Sequence, residues 1–127
     1  MAKDRVGGST PGGAYSPGII AEGRFLYVSG QVAVRDGAPT GGTAADQTTV
    51  AAQNLAAVLA AAGATLADVV RCGVFLADMA DFAAMDAAYR EIFAAPLPAR
   101  TTVGVALAPG FKVEIDCVAV LPEQGAP

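Results

Sequence analysis

Arg100 and Glu114 are the side chains whose type and spacing best suit chemistry on a small anion. Arg100 stands in PLPARTTVGV, at the mouth of an expected strand, and the next strand, KVEIDCVAV, carries Glu114. A guanidinium grips a carboxylate through two parallel, charge-assisted hydrogen bonds. A carboxylate set opposite can position a water for attack. The sequence holds no histidine, which removes the commonest general base and the commonest metal ligand. Chemistry then rests on carboxylates, arginine, hydroxyls and backbone groups.

The elements that position these residues are constrained by size and composition. A length of 127 residues suits one domain, 1–127, with a real core but no room for a second. The 54% apolar fraction, much of it alanine, and 16% charged residues point to extensive burial, part of it between subunits. No apolar run reaches membrane-spanning length, and MAKDRVGGSTPGG lacks the apolar centre of a signal peptide. A cytoplasmic location is therefore expected, without membrane contact. The net charge of −4 and pI near 4.5, with no cluster of Lys and Arg, argue against nucleic-acid binding. Cys72 and Cys117 belong to no CxxC pair and have no histidine neighbour, so a zinc site is not expected. Both read as buried, reduced core residues.

Residues 1–13, rich in Gly, Ser, Thr and Pro, read as a flexible N-terminal arm. A short strand is expected near Ile19–Ala21, then a strand over RFLYVSG with a bulge at Ser29-Gly30, where glycine interrupts the pattern. RDGAPTGGT is turn chemistry. A helix is expected from Ala44 to Ala62, with Thr43 as N-cap, Gly63 as stop, and an apolar stripe of Ala51, Leu55, Val58, Leu59 and Ala62. VVRCGVFLAD follows as a strand. A second helix is expected from about Ala80 to Phe93, buried through Phe82, Met85, Tyr89, Ile92 and Phe93 and ended by Pro96 and Pro98. Two strands, RTTVGVAL and KVEIDCVAVL, close the chain. The order ββαβαββ describes an α+β sandwich of two layers, with both helices on one face of a mixed sheet.

Two helices leave the other face bare. Lys112, Glu114, Asp116, Val118 and Val120 lie on that side of the last strand, and their partly apolar character suits a homo-oligomer packed sheet to sheet. If the last two strands form a hairpin turning at Leu107–Phe111, Gly104 pairs with Glu114. Arg100 then lies roughly 14 Å away, at about 3.4 Å per residue. A site built from Arg100 of one subunit and Glu114 of its neighbour removes that difficulty.

AYSPGI, YVSGQ, QTTVAAQNLAAVLAAAG, VFLADMADFAAMDAAYREIF, PARTTVGV and VEIDCVAV together resemble the reactive-intermediate deaminase (Rid, or YjgF) family, in the same order from Ala14 to Val120. The resemblance implies a chorismate-mutase-like fold assembled as a homotrimer with clefts between subunits. It implies hydrolysis of reactive 2-imino acids or their enamine tautomers, such as 2-aminoacrylate or 2-iminobutyrate, to 2-oxo acids and ammonia, with no cofactor and no metal. By the family's pattern, Arg100 binds the substrate carboxylate and Glu114 orients the attacking water. Tyr15 closes the cleft, Ser29 and Gly30 line it, and the backbone around Thr102 contacts the imine nitrogen or water.

The chain departs from that pattern at two positions. Asp86 stands where the family commonly has asparagine in the second helix, and an acid there could repel an anionic substrate or shift preference toward another. Thr102 stands where several members have cysteine. Competing functions are a non-catalytic regulatory trimer that binds small molecules in the same clefts, and a pathway-specific deaminase. Ribonuclease activity, attached to some relatives, fits poorly with the acidic pI and absent histidine.

Overall fold

The last strand of the sequence organises the sheet. In the computed structural model, which describes residues 3–8 and 12–123, β8 (Val113–Val120) alternates buried and half-buried positions until its end. Val113, Ile115, Cys117 and Ala119 point into the core. A strand that apolar along one side belongs in the sheet's interior. β8 accordingly pairs antiparallel with β3 (Phe25–Val32) on one side and β6 (Val69–Leu76) on the other. β7 (Ala99–Gly104) adds to β6 in parallel, giving the order β3-β8-β6-β7.

The expected hairpin between the last two strands therefore does not form, and Gly104 does not pair with Glu114. The segment from Phe82 to Ile92 is α2, and it returns the chain from β6 to β7 as a crossover. A parallel pair needs such a connection. Residues 105–112 then arch from the sheet edge to its centre. Gln47 of α1 (Ala44–Ala61) fastens that arch, accepting from Lys112 N at 2.8 Å and donating to Gly110 O at 3.2 Å.

α1 is capped as its sequence anticipates. Thr43 Oγ1 accepts from Asp46 N, and the Asp46 carboxylate accepts from Thr43 N, a reciprocal box. Hydrogen bonding to the Thr43 backbone holds the Asp46 pKa below its ordinary value. Ala51, Leu55 and Leu59 are buried, but Val58 is 38% exposed and Ala62 is exposed too. The buried side instead runs through Ala44, Gln47, Thr48, Ala52 and Leu55. The helix is rotated toward its polar threonine and glutamine because those side chains have backbone partners to satisfy. α2 starts at Phe82, after a 3-10 turn at Met79–Asp81, and buries Met85, Tyr89 and Phe93.

Smaller elements were less legible. RDGAPTGGT contains a hairpin, β4 (Val34–Arg35) against β5 (Ala38–Pro39). Asp36 and Gly37 turn it at φ values of 53° and 79°, the left-handed pair that a type I′ turn requires. Part of the expected flexible arm is also a strand: β1 (Asp4–Val6) pairs antiparallel with β2 (Gly18–Ile20). Lys3 Nζ anchors it by donating to Val69 O at 2.6 Å. Residues 1, 2 and 9–11 of that arm lie outside the described residues. The bulge at Ser29-Gly30 is present, as a register shift between Val28 and Gln31.

Candidate functional site

Arg100 lies opposite Cys72 in the β6–β7 pair, and Cys72, Val74 and Leu76 face the helices. Arg100 therefore projects beneath α2, where its side chain is only 1% exposed. Its guanidinium carbon lies 4.8 Å from the Tyr89 ring centroid, 5.3 Å from Tyr15 and 5.5 Å from Phe82. Three ring faces surround one cation and attract it electrostatically. Nη2 meets Asp86 Oδ1 at 2.8 Å, and Nη1 donates to the Ala14 carbonyl at 3.2 Å.

Asp86 does more than pair with Arg100. Its Oδ1 also accepts from Ala14 N at 2.8 Å, so one oxygen ties both the guanidinium and the backbone of residues 13–16. Arg90, one turn along α2, approaches Oδ2 at 4.0 Å. The covering segment is held at its far end as well, where Ser16 N donates to Pro98 O at 3.1 Å and Ser16 Oγ to Leu97 O at 2.5 Å. A Cβ at Gly13 would stand 3.0 Å from Arg100 Nη2 and 3.1 Å from Asp86 Oδ1. A side chain there would make the pair give way by a few tenths of an ångström. Beyond Gly13 lies a cavity of about 230 Å³, bordered by Arg5, Gly13, Tyr15, Ser16, Arg90 and Leu97 among others.

Glu114 belongs to a different surface. It lies opposite Phe75 on β6 and Val32 on β3, between core-facing Val113 and Ile115, so it projects from the sheet face that the helices leave bare. Its carboxylate covers Gly30, where any side chain would collide with it. Gly30 is thus grouped with Glu114, and Ser29 borders a separate cavity with Tyr27, Arg71 and Asp116, whereas Tyr15, Asp86 and Thr102 are grouped with Arg100. Thr102 lies opposite Val74 on the helix side, and its Oγ1 is buried without a hydrogen-bond partner among the described residues. Within one chain the two halves of the expected site are on opposite faces of the sheet.

The cysteines occupy the covered face as free, buried thiols, directly paired across β6 and β8. Burial pushes the Cys72 pKa up to about 11 and that of Cys117 up to about 12. The Tyr89 hydroxyl sits beside the Cys72 thiol without good hydrogen-bond geometry, and burial raises its pKa strongly. These groups are poor nucleophiles at neutral pH. Among the described residues, no three His, Cys, Asp or Glu side chains cluster as metal ligands, and no helix is long and apolar enough to cross a membrane.

Residues 8–121 match the protein family described as endoribonuclease L-PSP. A 2-iminobutanoate/2-iminopropanoate deaminase of Rattus norvegicus is 38% identical over 111 residues, covering 85% of this chain and 80% of that protein. The chain belongs to the Rid (YjgF) family. Mitochondrial protein mmf2 of Schizosaccharomyces pombe is 43% identical to this Rid chain over 112 residues, 85% of it and 88% of mmf2. The Rid-family protein YyfB of Yersinia pestis has the same fold, with a TM-score of 0.79 at 32% identity over 95% of this chain and all of that one.

Phe82, Tyr89 and Gly13 also surround Arg100, and sequence reading does not single them out. Periodicity places the first two in the core alone. A signal was present: Phe82, Asp86 and Tyr89 recur at four- and three-residue spacing, which places an acid between two rings on one helix face.

Proposed function

We propose that this protein hydrolyses reactive 2-imino acids to 2-oxo acids and ammonia, at sites shared between copies in a homotrimer. The observation that carries the reading is Arg100, a permanently charged fork held under three rings, with Gly13 and Tyr15 separating it from a small cavity. Asp86 and Ala14 engage two of its five N–H donors, and the rest become usable by a substrate carboxylate or carbonyl when residues 13–16 lift from the buried side chain. Deaminase names among relatives near 38% identity support the same chemistry.

Glu114 joins the site from a neighbouring copy in this proposal, because within its own chain it faces away from Arg100. Its carboxylate takes a proton from water as the oxygen adds to the imine carbon. The C=N bond becomes a single bond and the nitrogen takes the proton that the carboxylate received. The resulting carbinolamine then collapses: the hydroxyl proton passes to nitrogen, the oxygen becomes the carbonyl and ammonia departs. The reaction needs positioning more than strong nucleophiles, and alignment alone supplies large accelerations. RNA cleavage, which the family description names, is disfavoured by the net charge of −4 and the absence of histidine.

The test couples the protein to threonine dehydratase and threonine, with semicarbazide trapping the released imine. The wild type should suppress trapping. Arg100→Ala should lower kcat/KM by roughly 100-fold or more, the scale of losing a charged, oriented contact. Absence of suppression by the wild type, or full suppression by the variant, refutes the deaminase reading.

A further inference from the structure

Asp86 already occupies one nitrogen of Arg100 with a carboxylate oxygen. The contact is short, at 2.8 Å, and it forms where the Arg100 side chain is 1% exposed and that of Asp86 is 17% exposed. The pair is therefore close to electrically neutral in surroundings that screen poorly. An incoming carboxylate meets the attraction of Arg100 and the repulsion of Asp86 together. An uncharged carbonyl meets the remaining guanidinium donors without that repulsion.

From this geometry we infer that Asp86 is a specificity-determining residue that removes the pocket's preference for anions. The site takes uncharged imines, such as those of amino-acid amides, about as readily as it takes imino acids. The inference rests on the proposed use of Arg100 as the substrate-binding fork and adds the substrate's charge class to it. The double role of Asp86 Oδ1 strengthens the point. Because it also holds Ala14 N, a carboxylate that displaced Asp86 from Arg100 would loosen residues 13–16 as well, a second cost that a neutral ligand avoids.

Arg90 does not cancel this effect. Among the described residues it approaches Asp86 to 4.0 Å with a side chain 58% exposed, where water screens it. Asp86 thus remains the acid that sets the charge seen at Arg100.

The experiment compares binding of 2-oxobutyrate with that of its primary amide, 2-oxobutanamide, by calorimetry or ligand-observed NMR. It uses the wild type and Asp86→Asn. Asparagine keeps an oxygen for Ala14 N and Arg100 while deleting the charge. The wild type should bind the two ligands within about threefold of each other, and Asp86→Asn should prefer the acid by roughly tenfold or more. Comparing two ligands on one protein cancels any general loss of folded material. A wild type that already prefers the acid tenfold, or a variant whose ratio does not move, overturns the inference. The imine-trapping assay is scored separately. Suppression by the wild type with an unmoved ratio sinks only the role of Asp86, whereas a shifted ratio without suppression sinks the deaminase reading.

Discussion

On the helix-covered face of the sheet, Arg100 is wrapped by Asp86, Ala14 and three rings. On the bare face, Glu114 shares its surface with Tyr27, which is 75% exposed, and with exposed Phe25 and Val103. On the covered face Arg100 finds its opposite charge within one chain. The bare one has not buried its apolar surface, and exposed apolar patches of this kind mark association sites. The contrast teaches that a single protomer can build the cation's half of the site alone. In the proposed mechanism, bringing the acid to it calls for a second copy.

Breaking this comparison begins with the largest expected effect. Glu114→Gln should lose roughly 100-fold in kcat with an unchanged melting temperature, since the group orients water and sits outside the core. Mixing inactive Glu114→Gln and Arg100→Ala proteins, after dissociation and reassembly, should recover roughly a quarter of wild-type activity, the share of interfaces holding both native residues in a random cyclic oligomer. No recovery would show that the two residues act from the same chain or not together.

A second prediction isolates the bare face. Tyr27→Asp places a charge in the exposed apolar patch, and sedimentation velocity should show the assembly shifting to monomer. An unchanged mass would remove that face from the interface. The Arg100–Asp86 pair, on the opposite side, should survive, and near-ultraviolet circular dichroism from its tyrosines would report that.

The smallest effect concerns the cysteines of the covered face. Burial raises their pKa values to about 11 and about 12, so the folded chain keeps protons that the unfolded chain releases near pH 8.5. Stability is then fully present below that pH and declines as pH climbs toward 11. Thermal melts in alkaline buffers should show the decline, and Cys72→Ala should flatten it. A flat wild-type profile would contradict the burial argument.

Much of the fold was legible because local rules governed it. Thr43 and Asp46 mark the start of α1, Gly63 follows its end at φ +79°, and Ser29-Gly30 marks the bulge. The alternation of residues 113–119 gave the inward face of β8. Its neighbours were not legible, since alternation says which side is buried and nothing about which strand lies alongside. The hairpin between β7 and β8 was the shorter connection, and the crossover through α2 displaced it because β8 is more apolar than an edge position needs. The site followed the same division. Arg100 and Glu114 were recognisable as chemistry-bearing types, yet their separation onto two faces depends on register. The grip of Asp86 on Ala14 joins residues 72 positions apart, beyond the reach of any local pattern.

The position of β8 has a bearing on how the protein folds. Until residues 113–120 dock between β3 and β6, each of those strands keeps one edge unpaired, and pairings so distant in sequence close slowly. A chain held at that stage would present two open strand edges, the template for edge-to-edge aggregation.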